Sequence, residues 1–193
     1  MDETWRPADF VGGHPALDFL NTVADKDKSR KLNKLRNWSV VRRWAVLSKL
    51  LTETEIRRFA AVGPTHGDPE LADLADFRET VYAATLTLAD QGPHDRRAVS
   101  VLQNQIRSAL ARGIIERDEG RFRWRPDPTS SHFWTDAIAL AMEDLLRGDD
   151  FARVRRCERC SWLFIDRGRG TGRRWCDMRT CGNRAKAQTF RAS

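Results

Sequence analysis

The chain has 193 residues, 40% apolar and 32% charged, a composition that is typical of a folded domain and excludes a largely disordered chain. No apolar stretch is as long as a membrane-spanning helix, and the acidic start MDETWRPADF lacks the basic and apolar regions of a signal peptide. We therefore expect a soluble cytoplasmic protein that has no membrane contact and no structural disulfides.

Apolar residues recur at helical spacing in five consecutive segments of the first 113 residues. The predicted helices begin near Pro15, Trp38, Thr52, Asp68 and Asp95. Thr52 and Glu55 have the spacing of a capping box, and Gly113 ends the fifth helix. The charge-rich run at residues 24–36 is predicted to be a mobile loop.

After Gly113 the spacing of the apolar residues changes from the helical period to the alternation of a strand. Residues 114–125 predict a short β-hairpin that turns near 118–120, with Phe122 and Trp124 on one face and arginines on the other. A winged helix is an alternative, but the preceding helix is too long for a compact helix-turn-helix unit, so we favour a hairpin that caps a helical core. A last helix, 132–147, ends at Gly148.

We place a domain boundary at residue 150 and call residues 1–150 the body. Charge differs sharply across this boundary. Residues 151–193 hold eleven Arg and one Lys against three acidic residues, a net charge of +9, whereas the whole chain carries +7 and the body therefore −2. Such asymmetry suggests a polyanionic partner, although a solvated basic tail would look the same.

All four cysteines lie in this basic segment, as Cys157-x2-Cys160 and, fifteen residues later, Cys176-x4-Cys181. Two close pairs at this separation favour a tetrahedral Zn²⁺ site with four protein ligands, which is structural because no position is left for water. Disulfides conflict with the expected compartment, a redox CxxC lacks a βαβ context, and iron–sulfur spacings differ.

Zinc would also explain how about 40 residues fold, since so short a segment buries little surface. Between the cysteine pairs we predict two strands around a glycine-rich turn, with Trp162, Phe164 and Trp175 as a minimal core. A short helix follows Cys181, and Ala187 and Phe190 are expected to face that core. These elements together predict a treble-clef-like finger, and we call residues 151–193 the finger.

The predicted fold class is α+β, predominantly α: a helical N-terminal domain with a short hairpin, followed by this four-cysteine finger.

The arginines have two possible roles. Some, such as Arg159, Arg174 and Arg179, could neutralise the charge of −2 on a zinc tetrathiolate. Others could contact phosphates and base edges, because the helix after Cys181 places basic and amide side chains on one face. The nucleic-acid-binding residues that we predict are Arg169, Arg173, Arg174, Arg184, Lys186, Gln188 and Arg191.

The stretch CERCSWLFIDRGRGTGRRWCDMRTCGNRAKA resembles the CGNR zinc finger, whose tetrapeptide is Cys181-Gly182-Asn183-Arg184 here. GGHPALDFLNTV resembles the start of the ABATE domain that precedes this finger. The resemblance implies stress-induced transcription regulators of bacteria, with the four cysteines as zinc ligands, a DNA-binding finger and a regulatory or ligand-sensing body. Where the family has a Ser-Arg-Asn-type turn, this chain has Gly168 and Gly170, which predicts a looser turn.

In the body, His14, Asp18 and Asn21 form the polar group that we single out as a candidate ligand site. Local capping and hydrogen bonding between helices is the competing interpretation. We find no nucleophile–base pair, phosphate-binding glycine loop or supported carboxylate pair, and we expect no enzyme activity.

Two functions follow. The first is a regulator that binds DNA through the zinc finger, with the body sensing a small molecule or forming a homodimer. The alternative is a zinc-stabilised interaction module whose basic finger binds acidic protein surfaces or RNA.

Overall fold

The computed structural model describes residues 5–24, 28–118, 120–168 and 172–192. In these ranges the chain is mostly helical and has two small antiparallel hairpins, so the predicted α+β, predominantly α class is confirmed. None of the helices in these ranges is long and apolar enough to cross a membrane.

The described part of the body contains six α-helices. They are α1 (Pro15–Leu20), α2 (Trp38–Leu47), α3 (Glu53–Val62), α4 (Asp68–Leu88), α5 (Arg96–Arg112) and α6 (Phe133–Arg147). The capping box of α3 is present: Thr52 Oγ1 accepts from the Glu55 amide at 3.1 Å, and the Glu55 carboxylate accepts from the Thr52 amide at 2.7 Å. Helix α4 begins at Asp68, as predicted, and its N-cap is Gly67.

Helix α1 is the centre of the body. Its Leu17, Phe19 and Leu20 side chains are completely buried, and it packs against both α4 and α6. His14 precedes it and caps it, because Nδ1 of His14 accepts from the Ala16 amide at 3.2 Å. A six-residue helix is too short to persist alone, so burial on several sides stabilises it.

Strands β1 (Ile114–Asp118) and β2 (Arg121–Arg125) form the predicted hairpin. Ion pairs fasten it to α3: Arg58 contacts Glu116 at 2.6 Å, and Arg125 contacts Glu55 at 3.3 Å. The opposite face is open, since Phe122 is 74% exposed. The hairpin therefore packs beside the helices by charged contacts and leaves its aromatic face uncovered.

The finger has strands β3 (Val154–Arg156) and β4 (Leu163–Ile165) and helix α7 (Asn183–Ala192). The prediction of two strands between the cysteine pairs was wrong, because β4 is the only described strand there and it pairs with β3, which precedes Cys157. After β4, the Asp166 carboxylate accepts from the Gly168 and Arg173 amides at 2.9 and 3.0 Å. This side chain satisfies backbone groups that a partner strand would otherwise satisfy.

The main hydrophobic core includes residues from both the body and the finger. Val154, Leu163 and Ile165 of the finger are 0–3% exposed and belong to the same buried cluster as α1 and α4. The strand β4 also makes a backbone bond to the segment before α1, since the Ile165 amide donates to the Gly12 carbonyl at 2.9 Å. The finger is thus packed onto the body by apolar burial and backbone pairing together.

Two charged side chains of the run predicted as a mobile loop are bound to the rest of the body. Arg30 donates to Glu79 at 2.6 Å and to the Leu20 carbonyl at 2.8 Å, and Lys34 pairs with Asp9 at 2.7 Å. These charged side chains are buried or half-buried, and pairing offsets the free-energy cost of removing them from water.

Candidate metal centre and basic surface

The cysteine pairs are placed by two local structures. Cys157 and Cys160 lie in the turn between β3 and β4, which is closed by a 2.9 Å bond from the Cys157 amide to the Trp162 carbonyl. Cys181 lies in a single π-helical turn, Met178–Gly182, directly before α7. Asp177 caps that turn by accepting from the Thr180 amide at 3.1 Å.

The four sulfur atoms lie within 4.8 Å of one another, and all four residues are buried. The Sγ–Sγ distances are 3.7 Å between Cys160 and Cys176 and 3.6 Å from Cys181 to each of these two. A tetrahedron with Zn–S bonds of about 2.3 Å has edges of about 3.8 Å, whereas a disulfide would need about 2.05 Å. The donor set and its dimensions therefore fit one structural zinc held by Cys157, Cys160, Cys176 and Cys181.

The sulfur atoms also show why a cation is needed. Hydrogen bonds from the thiols of Cys160, Cys176 and Cys181 lower the pKa of Cys157. Interaction with Cys157 and the other sulfurs raises the pKa of Cys176. Four adjacent thiolates repel one another, and a divalent cation at their centre removes this repulsion.

A small core surrounds the cysteines, as predicted. Phe164 is fully buried against them, and Trp162 and Trp175 pack partly buried beside it. Arg173 covers this core, since its guanidinium lies 4.3 Å from the Phe164 ring centroid and donates to the Trp175 and Cys176 carbonyls at 3.0 and 2.8 Å.

The body holds the first cysteine turn through a polar cluster that the sequence pattern did not reveal. Arg30 donates to Ser161 Oγ at 3.0 Å and lies 3.7 Å above the Tyr82 ring, while the Tyr82 hydroxyl donates to the Ser161 carbonyl at 2.7 Å. Glu79 pairs with Arg30 and with the buried Arg78. No periodicity marks these residues, because they come from a loop and from α4 and meet only in the folded chain.

The candidate ligand residues of the body have different surroundings. Asn21 is 1% exposed and makes two bonds with the backbone of Leu163, accepting from its amide at 2.9 Å and donating to its carbonyl at 2.8 Å. Asp18 accepts from the Gly12 amide at 2.8 Å, and burial raises the pKa of Asp18 to about 7. These contacts match the competing interpretation of local hydrogen bonding; His14 alone of the three lines a cleft in the described structure.

Two of the predicted nucleic-acid-binding residues are engaged within the finger. Arg173 covers the core, and Arg174 forms a bidentate ion pair with Glu158, with contacts of 2.6–3.0 Å. Arg174 also lies 4.9 Å from the Trp175 ring. Both arginines remain exposed enough to meet a further partner, and their nucleic-acid contact stays a prediction.

Helix α7 presents the other predicted residues. Arg184, Lys186 and Gln188 are exposed, and none has a hydrogen-bond or ion-pair partner among the residues described. Arg169 and the Gly170 of the predicted looser turn lie outside the described residues, and the side chain of Arg191 is also outside them.

The prediction that Ala187 and Phe190 face the core of the finger was wrong. Phe190 is 86% exposed and Ala187 is exposed, so neither faces the finger's core. Cys181 ties the turn before α7 to the metal site, whereas the described side chains of α7 are exposed except for the half-buried Ala185. These side chains therefore face solvent nearly all round.

Comparison with family models gives two matches. Residues 13–149 match the ABATE family, described as "Putative stress-induced transcription regulator", and residues 153–193 match the CGNR zinc finger. A search of curated proteins found no match. Since the first match covers more than half of the chain, the chain belongs to the ABATE family and carries a CGNR zinc finger with a four-cysteine metal site.

Proposed function

We propose that the finger binds double-stranded DNA and that the body is a sensing or dimerisation domain of a transcription regulator. The observation that carries this proposal is α7, a basic helix that projects from the metal site with Arg184, Lys186 and Gln188 in solvent. The family description supports a regulator.

The geometry of α7 suits a duplex. Arg184 and Gln188 are four residues apart and share one face, and with Arg159 and Ala187 they line an open groove of about 400 Å³. Arginine can contact phosphate or guanine bidentately, and glutamine can pair with adenine. The net charge of the finger would draw it to the phosphate backbone.

The proposed role is one of binding without catalysis. Four protein sulfurs complete a tetrahedral site and leave no position for a substrate or an activated water. One finger with a few phosphate contacts binds weakly, so we propose a homodimer that reads paired half-sites.

The test is a fluorescence-anisotropy titration of the zinc-loaded full chain with a mixed-sequence duplex at about 50 and about 200 mM salt. We expect binding that weakens with salt. The double variant Arg184→Ala, Lys186→Ala should bind less tightly and lower the salt slope by about 2, one for each lost phosphate contact.

The matched control is Arg96→Ala, Arg97→Ala, which removes two exposed arginines from the start of α5 in the body. It should bind like the parent chain. Salt-independent binding, no binding, or an equal loss in the control variant would each count against DNA contact by the finger.

The alternative is an interaction module that docks acidic proteins or RNA. The observation in its favour is the pairing of finger arginines with acidic groups, Arg174 with Glu158 and Arg167 with Asp150 at 2.6 Å, together with the exposed Phe190 ring. An aromatic ring beside cations can stack on single-stranded bases. Tighter binding to single-stranded RNA than to duplex DNA in the same titration would favour this alternative.

A further inference from the structure

A cleft of about 360 Å³ lies between strand β2, the start of α1 and one side of α6. We call it the hairpin cleft; it is lined by Phe122–Pro126 of the hairpin, by His14 and by residues of α6 from Ala137 to Arg147. Its volume is in the usual range for small-molecule sites, about 300–1,000 Å³. None of its described lining residues belongs to the finger, so it is distinct from the metal centre.

The cleft has an incompletely covered apolar wall. Trp124 lines it from β2 and is 43% exposed, and Leu140 and Ala141 line it from α6. Phe122 also lines it and is 74% exposed. A planar apolar ligand would remove this aromatic surface from water, which is favourable in proportion to the area covered.

The carboxylates of the cleft already have partners. Asp144 is bonded to His14 Nε2 at 3.3 Å and to Arg147 at 3.3 Å, and Glu143 pairs with Arg147 at 3.1 Å. His14 Nδ1 accepts a hydrogen bond from the Ala16 amide, so the proton of the neutral ring is on Nε2. Nε2 therefore donates a hydrogen bond to Asp144. The two acidic groups are thus satisfied and would not attract a cationic ligand strongly.

Lys49 differs from the other basic residues of the cleft. Arg147 pairs with the two carboxylates, Arg125 pairs with Glu55, and Arg123 also has a partner. Lys49 is exposed and has no ion-pair partner in the part of the chain that the structure describes. An incoming acidic group would find this ammonium group unneutralised.

We propose that the hairpin cleft binds a small aromatic organic anion, with its ring against Trp124 and Leu140 and its acidic group toward Lys49. Of its residues, His14 is predicted from the sequence as a candidate ligand residue, and Trp124 only as part of one face of the hairpin.

The cleft adjoins the segment that holds the finger. His14 lies in the cleft, and the two residues before it contact the finger: the Gly12 carbonyl accepts from the Ile165 amide at 2.9 Å, and the Gly13 carbonyl accepts from Arg167 at 3.4 Å. Gly13 has φ +81°, a conformation that favours glycine. A ligand that contacts His14 would therefore lie next to the segment that is hydrogen-bonded to β4 through Gly12.

The first probe is 8-anilinonaphthalene-1-sulfonate, an aromatic anion whose fluorescence rises on leaving water, titrated into the zinc-loaded full chain. The uncharged comparison is N-phenyl-1-naphthylamine, which has the same rings without the sulfonate. We expect saturable binding of the anion, at least about tenfold tighter than binding of the uncharged compound. 2-Naphthoate should displace the anion, and 2-naphthylmethylamine should not.

Two variants locate the site. Ala141→Trp fills the cleft without removing a polar contact, and Lys49→Gln removes its unpaired charge at an exposed position. Each should weaken binding of the anionic probe about tenfold. The controls are Ala111→Trp and Lys31→Gln, at exposed positions outside the cleft, which should bind as the parent does.

Probe binding that survives both cleft variants would place the probe elsewhere and overturn the proposal. Equal affinity for the charged and uncharged probes, displacement by the amine, or no saturable binding would overturn it too. Because Lys49→Gln alters an exposed side chain, it keeps the test valid if Ala141→Trp fails to fold. The readout needs no DNA, so the outcome is separate from that of the proposed regulator function.

Discussion

Two buried polar side chains in and directly after α1 hold the backbone around the junction between body and finger. Asn21 satisfies both backbone groups of Leu163, and Asp18 satisfies the Gly12 amide two residues from the His14 cap. Polar atoms buried this deeply require partners, because an unpaired buried group costs about 1–3 kcal/mol. The two side chains therefore hold the protein's own backbone in place. Their hydrogen-bond partners in the folded chain distinguish them from residues of a ligand site.

Asp18→Asn is expected to change the pH dependence of stability. Burial raises the Asp18 pKa to about 7 in the folded chain, so the folded state binds more protons than the unfolded state below that pH. The free energy of unfolding of the parent should then fall by about 1 kcal/mol, relative to the variant, as pH rises from about 6 to about 8.

Urea unfolding of the zinc-loaded parent and variant at these two pH values measures the difference. Asp73→Asn, at an exposed position on α4, is the control and should leave the pH dependence unchanged. A parent and an Asp18→Asn variant with parallel pH profiles would contradict the buried, proton-binding carboxyl.

At the level of elements, α7 depends on the metal site. It has ten residues, it directly follows the turn that contains Cys181, and its described side chains have few contacts with the rest of the protein. A helix this short is marginal alone in water, because nucleation costs more than a few hydrogen bonds return. Its order therefore comes from the π-helical turn Met178–Gly182 that Cys181 ties to the other cysteines.

Metal removal is expected to release α7 first. Hydrogen exchange followed by mass spectrometry should show the amides of 183–192 exchanging at least about tenfold faster after chelation, since their protection comes from local structure. The amides of α5, which has its own N-cap at Asp95, serve as the internal control. Undiminished protection of 183–192 after chelation would mean that α7 is stable without the metal site.

At the level of the molecule, finger and body share one core. Val154, Leu163 and Ile165 are buried with α1 and α4, and the Arg30–Tyr82–Ser161 cluster adds polar contacts next to Cys160. A structural zinc contributes on the order of 10–16 kcal/mol to the folding of a small finger. Part of that free energy should reach the body through these contacts.

Chelation is therefore expected to lower the thermal midpoint of the body as well as unfold the finger. Scanning calorimetry should give one transition for the zinc-loaded chain and a lower midpoint after chelation.

Asn21→Ala, which leaves both Leu163 backbone groups unpaired, should lower the free energy of unfolding by about 2–4 kcal/mol and reduce the effect of chelation on the body. Asn104→Ala, at an exposed position on α5, is the control. If the thermal midpoint of the body is the same before and after chelation, the two parts fold independently.

The sequence by itself determined the elements whose cause is local. Helical periodicity, the Thr52–Glu55 capping box and the hairpin at 114–125 follow from neighbouring residues, and the cysteine spacing identified all four metal ligands. These features need no distant contact to be recognised. The basic charge of the finger was equally visible, because net charge is a property of composition.

Only the tertiary structure decided what those residues meet. It separated Arg173 and Arg174, which have partners inside the finger, from Arg184 and Lys186, which face solvent, and it turned Phe190 outward. It also joined Asn21 to Leu163, 142 residues apart, and enclosed the hairpin cleft between segments distant in the chain. Such contacts depend on how the elements pack together, and periodicity within one element carries no information about its neighbours.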